Sequence, residues 1–149
     1  MYWLRQRVGH AMARIPVEKV MGKERPRFDH RSGRTYTPSK TARAEREIRR
    51  AWAEQVGEAW AGFDGIVTLE VISTRELPRS SPKYLAGSAD TKRPDADNIL
   101  KLVCDALIGT AFADDSQLTD MRVTKVPRTP YGTGNTLEIR TTYYREERI

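Results

Sequence analysis

Between Asp90 and Asp120 the chain carries seven of its nine aspartates and not one glutamate. A surface that needs only negative charge mixes the two residues, whereas a site gripping a hard cation at about 2.0–2.1 Å favours the short, stiff carboxylate. The heart of the stretch, residues 93–120, is RPDADNILKLVCDALIGTAFADDSQLTD. Asp95 and Asp97, two apart, are expected on one side of an extended segment, and Asp114 and Asp115 form a second pair. Four carboxylates brought together repel one another unless a cation neutralises them. The pattern therefore points to metal binding, against the alternative that Asp95 or Asp97 only caps the helix that follows. One or two Mg²⁺ ions held this way can activate water, shield a phosphate and stabilise a leaving oxygen.

Lys101 sits one helical turn beyond Asp97 and four residues before Asp105, the less favourable order for a helical ion pair. It is either an ordinary surface lysine or a group that contacts the scissile phosphate and stabilises transition-state charge. Other chemistries fail on the residues. A calcium loop starting at Asp95 would need Gly and Glu where Leu100 and Ala106 stand. His10 and His30 lie far away in basic surroundings, which leaves no base for a nucleophilic triad. No Gly-rich phosphate loop is present, and the lone Cys104 falls on an apolar helix face, where it is read as core.

The elements that must position these groups follow from periodicity. Ile99, Leu100, Val103, Cys104, Leu107 and Ile108 recur at helical spacing with Asn98, Lys101 and Asp105 opposite, and Gly109 ends the helix. An earlier helix is predicted from Thr37-Pro38, with Thr37 as cap, to about Gly62, its tryptophans at 52 and 60 facing the core. Strands are expected at Ile15–Val20 and Ile66–Ser73, followed by two strands after Asp115 that pair as a hairpin. Residues 75–89 read as a mobile, mildly basic loop leading into the acidic stretch. The order is strand, hairpin, helix, strand, loop, helix, strand, strand. That predicts an α+β single domain with a mixed β-sheet and two main helices packed on it. Residues 1–14 show no period and are expected to be an extension, leaving 15–149 as the domain.

Charge is segregated along the 149 residues: residues 1–50 hold 14 Lys and Arg against 5 acids, while residues 51–149 hold 12 against 15. A basic half beside an acidic cluster suits a protein that draws in a polyanion and works on it with a metal. The segment GKERPRFDHRSGRTYTP interleaves Lys23, Arg25, Arg27, Arg31 and Arg34 with Phe28 and Tyr36 around a turn at Ser32-Gly33. Such a basic hairpin has the composition for phosphate contact and base stacking. Lys23, Arg25, Arg27, Arg34, Lys40 and Lys92 are the candidate nucleic-acid-binding residues. No apolar run is long enough to span a membrane, and the start lacks the apolar core of a signal peptide, which predicts a cytosolic protein.

The run Pro-Asp-x-Asp-Asn, then Lys, then Asp-Ala-Leu, then Asp-Asp-x-Gln resembles the RusA family of Holliday-junction resolvases, crossover junction endodeoxyribonucleases common in bacteria and prophages. GKERPRFDHRSGRTYTPSKT is similar to the basic amino-terminal segment of that family. The resemblance implies a RusA-like fold, with Asp95, Asp97 and Asp115 as metal-binding catalytic aspartates, Asp114 as their acidic neighbour and Lys101 as the catalytic lysine. It further implies Mg²⁺, with Mn²⁺ able to substitute, and a homodimer that resolves four-way DNA by paired symmetric nicks in recombination and repair, without a nucleotide cofactor. Ile108 departs from the family's usual Asn before Gly109, and residues 1–14 do not look like family sequence. A likeness to PD-(D/E)xK nucleases is superficial, because Lys101 follows Asp97 on a helix. A nuclease of flaps or other branched DNA, and a non-catalytic DNA-binding module, stand as alternatives.

Overall fold

The amino-terminal residues enter the sheet directly. In a computed structural model describing all 149 residues, β1 runs Trp3–Val17 and buries Ala11, Ala13 and Ile15 on one face while Met12 and Arg14 point outward. It pairs antiparallel with β6 (Asn135–Arg148), from Trp3 against Arg148 to Val17 against Asn135, with an irregularity at Val8. The expected first strand at Ile15–Val20 is thus longer and earlier. Residues 3–7 pair only with the far end of β6, beyond the reach of the helices, and every one of them is exposed. Without a covered face there is no alternation for the sequence to display.

β2 (Arg27–Asp29) and β3 (Arg34–Tyr36) form the basic hairpin as a separate two-stranded sheet. α1 spans Ser39–Gln55 with Pro38 at its N-cap position and no capping side chain, so Thr37 does not take the capping role expected of it. It stops well short of Gly62, because Gly57 adopts φ +88° and donates its N–H back to Ala53 O at 3.0 Å. Gly is the residue that tolerates this left-handed turn. Trp52 is fully buried on α1, while Trp60 lies past the helix and stacks on Tyr143 with centroids 3.9 Å apart.

β4 (Ile66–Thr74) lies between β6 and β5 (Leu118–Lys125), giving the order β1-β6-β4-β5. β4 and β5 are parallel and are joined through α2 (Ala96–Leu107), a crossover that parallel strands require. The expected hairpin between the last two strands does not form: β6 instead crosses to lie between β1 and β4. The connection allows this because residues 126–134 are held as a structured loop, where Glu76 accepts from Gly132 N–H at 2.8 Å and Gly134 N–H at 2.7 Å.

Both helices cover one face of the sheet, and a single core joins Ile48 and Trp52 of α1, Leu102, Val103 and Leu107 of α2, and Val67, Leu69, Ile139 and Tyr143 of the strands. Tyr143 donates to Ala111 O at 2.7 Å and accepts from Thr141 at 3.0 Å, and burial pushes its hydroxyl up to about 12. Cys104 is in this core as expected, its thiol pushed up to about 11 by burial first and by Asp105, Asp115 and Asp114 nearby. A thiol held that high is no nucleophile at neutral pH. No helix is long and apolar enough to cross a membrane.

Candidate active site

Asp95 occupies the N-cap position of α2, with extended backbone at φ −68° and ψ 149°, yet its side chain makes no capping hydrogen bond. The capping alternative is not realised, and the carboxylate stays free. Asp97 lies in the first helical turn and not on an extended segment as expected, so the two carboxylates share one helix end through helix geometry. Both are exposed. Lys101, one turn further on, is exposed as well.

The helix end opens into a cleft of about 520 Å³ lined by Asp95, Asn98, Pro94 and Arg93 on one side and by Lys19 and Lys23 on the other. Gly22 makes the cleft's seam. A Cβ there would meet Pro94 Cβ at 2.9 Å and Asn98 Cβ at 3.0 Å, so only glycine lets this backbone lie against the start of α2. Lys23 N–H donates to Asn98 O at 2.9 Å and fixes the same seam.

Lys23, a candidate DNA contact, is engaged within the fold. Its ammonium lies 2.5 Å from Glu45 and 3.2 Å from Asp105, with the Lys23 and Glu45 side chains only 14% and 16% exposed. Burial pulls this lysine's pKa down, but hydrogen bonds and charge from Glu45 and Asp105 outweigh it and leave the value raised. The pairing also explains the polar face of α2, where Asp105 serves Lys23. Within α1 itself, Arg50 and Glu54 form an ion pair at 3.3 Å. Arg43, Arg46 and Lys40 stay exposed on it.

The second acidic pair divides. Asp114 is N-cap of a short 3-10 turn at Asp115–Gln117, accepting from Ser116 N–H and Oγ while its own N–H donates to Gln117 Oε1 at 2.7 Å. Those hydrogen bonds from Ser116 hold its carboxyl below the ordinary range. Gln117 in turn donates to Phe63 O and Gly65 O at 2.7 and 2.8 Å, which locks the loop to the sheet. Asp115 is exposed. No group of three or more acidic, histidine or cysteine side chains converges well enough to hold a metal ion, so one chain does not gather Asp95, Asp97 and Asp115 around a single point. The oxygen donors present still suit Mg²⁺, which commonly takes one or two carboxylates and fills its remaining positions with water and substrate phosphate.

Of the remaining basic residues, Arg25, Arg27 and Arg34 are exposed on or beside the hairpin, with Arg27 in a loose 3.7 Å pair with Glu24. Lys40 and Lys92 are exposed too, and Phe28 and Tyr36 remain 55% and 48% exposed beside them. Arg93 and Lys19, not expected at the site from the sequence, line the cleft together with Asn98 of the Pro-Asp-x-Asp-Asn run. Arg93 could have been found from its place two residues before Asp95. Loop 75–89 is tied down at both ends, Leu77 N–H to Thr129 O and Gly87 N–H to Arg128 O, leaving 78–80 and 82–84 exposed.

A family model described as Endodeoxyribonuclease RusA matches residues 18–140. The chain is also similar to the crossover junction endodeoxyribonuclease rusA of Enterobacteria phage HK97, 45% identical over 51 residues. That match takes in 34% of this chain and 42% of the phage protein, so it spans less than half of that relative. With 18–140 enclosing the basic hairpin, α1, the Asp95–Asp97 helix end and the Asp114–Asp115 loop, the chain belongs to the RusA family.

Proposed function

We propose that the protein is a Mg²⁺-dependent, structure-selective endodeoxyribonuclease that resolves four-way DNA junctions by paired phosphodiester hydrolysis, acting as a homodimer in the cytoplasm in recombination and repair. The observation that carries this reading is an aspartate at a helix N-cap whose carboxylate is left free, beside Asp97, at the mouth of a cleft rimmed by Lys19 and Arg93. Asp95 and Asp97 would hold the metal together with substrate phosphate, and Asp115 is the further acidic residue implied by the family. The ion, when bound, supplies an activated water and shields phosphate charge. Lys101 stands one turn from the pair, where its ammonium can stabilise charge on the phosphate.

Substrate grip falls to the hairpin and the exposed face of α1. Arg25, Arg27, Arg34 and Lys40 contact backbone phosphates, and Phe28 and Tyr36 offer faces for unstacked bases. Junction recognition then rests on shape and phosphate spacing more than on base edges. Two symmetric nicks need two equivalent sites, which a C2 dimer provides. Sedimentation should therefore give twice the 17.0 kDa chain mass. Cleavage of four-way and flap substrates measured side by side tests the substrate class: a preference for the four-way junction supports resolution, and a flap preference moves the activity to other branched DNA. Tight binding with no cleavage of either substrate in Mg²⁺ or Mn²⁺ would leave a DNA-binding module.

A further inference from the structure

Asp90, another aspartate of the acidic stretch, is buried with its side chain fully shielded. Arg75 grips it through two hydrogen bonds, Nε at 2.8 Å and Nη2 at 2.6 Å, while Lys125 and Arg128 stand 4.0 and 3.8 Å away. One carboxylate among three cations is more positive charge than an ion pair needs, and the cations' other donors show where they are directed. Arg75 donates to Arg93 O at 2.8 Å and Lys92 O at 3.3 Å, and Lys125 donates to Lys92 O and to Pro94 O at 2.9 Å. Arg128 donates to Glu76 O at 2.6 Å and Arg75 O at 3.3 Å, which holds the Arg75 backbone. The carbonyls of three successive residues, Lys92, Arg93 and Pro94, are thus all captured immediately before Asp95.

The two principal donors come from equivalent places. Arg75 follows the last residue of β4 and Lys125 ends β5, so the carboxyl ends of two neighbouring parallel strands converge on this segment. We propose that Arg75, Asp90 and Lys125 form a positioning bracket that fixes residues 92–94, and with them the helix end presenting Asp95 and Asp97, relative to the sheet. Asp90 orders the guanidinium, and Arg75 and Lys125 hold the backbone. The catalytic consequence rests on the endonuclease reading above, whereas the structural one does not. A misplacement of about 1 Å at a reacting centre costs on the order of 100-fold in rate, so a loosened bracket should slow the chemical step and leave DNA affinity alone.

Lys125→Met is the first variant, since it removes the donors to Lys92 and Pro94 and keeps the Arg75–Asp90 pair. Asp90→Asn, which strands three cations, is the second, and Lys125→Arg tests rescue. Hydrogen exchange over residues 92–98 and junction cleavage with kcat and KM separated are both measured. For Lys125→Met the bracket predicts faster exchange confined to 92–98, a fall in kcat of about 10- to 100-fold with KM within about twofold, and partial recovery with Lys125→Arg, whereas Asp90→Asn should show the 92–98 effect on top of a general rise in exchange. Unchanged exchange in Lys125→Met overturns the bracket whether or not the protein cleaves DNA. A rise in KM alone also overturns it, by making Lys125 a DNA contact. If the wild-type protein cleaves no branched DNA, the endonuclease reading fails, and exchange still decides the bracket.

Discussion

Replacing Lys23 with methionine separates a structural lysine from a DNA-gripping one. The ammonium bridges Glu45 of α1 and Asp105 of α2, joining both helices to the segment before the hairpin. Removing one partner of a fully buried ion pair costs about 3–5 kcal/mol, mostly for the charge left behind. Asp105 is 31% exposed and can rehydrate, while Glu45 at 16% is the group stranded. The expected loss is therefore at or below the bottom of that range, about 2–3 kcal/mol, or roughly 5–10 °C in Tm for a domain of this size. Urea titration and thermal melting read the stability, and junction binding at several salt concentrations reads the DNA contact. The salt slope should not change. A stability within about 0.5 kcal/mol of wild type, together with a slope reduced by about one, would refute the argument and make Lys23 a phosphate contact. The raised pKa sets the pH window. The contribution is complete below the ordinary lysine value of 10.5 and is lost as pH rises through the higher folded value.

Asp90 shows the opposite dependence. Burial alone would raise its pKa, but hydrogen bonds and charge from Arg75, with help from Lys125 and Arg128, hold it below 3.8. Its stabilisation is present above that value and is lost as pH falls through the folded pKa. Asp90→Asn should cost about 3–5 kcal/mol near neutrality, with the gap to wild type closing on acidification when urea midpoints are followed from about pH 5 to about pH 2. Gly22→Ala should force Pro94 and Asn98 away from the seam, costing roughly 1–3 kcal/mol and lowering cleavage more than binding, as melting and single-turnover assays would show. Arg27→Ala combined with Arg34→Ala should shallow the log–log salt dependence of junction binding by about 1.8, since each phosphate contact contributes about 0.9.

How far the sequence could be read depended on whether local pattern or distant partners decided each feature. α2 was legible because its apolar period, its acidic start and Gly109 are all local; the structure moves its start back to take in Asp97, leaves Leu100 and Ile108 half-buried and buries Leu102 and Ala106 in addition. The choice of partner for β5 was not legible. Two successive strands suggest a hairpin, and only the sheet shows β6 inserted between β1 and β4. Gly57 was a stop signal that could have been weighed against the two tryptophans. In the candidate site, Asp114 and Asp115 look alike as letters, and what distinguishes them is the reach of Ser116 and Gln117 back to the first of them. Lys23 and Arg27 are likewise equivalent as letters until α1 and α2 bring Glu45 and Asp105 to one of them. Asp90 stood among six other aspartates, with its partners 15, 35 and 38 residues away in the chain.

The central claim is tested most directly by incubating a synthetic four-way junction with wild type and with Asp97→Asn, in Mg²⁺ and in EDTA. Asp97 is exposed and outside the core, so the variant should keep its fold and its junction affinity. Paired symmetric nicks from the wild type in Mg²⁺, absent in EDTA and reduced at least about 100-fold in Asp97→Asn, are the predicted result. Undiminished nicking by Asp97→Asn, or nicking that persists in EDTA, would contradict it.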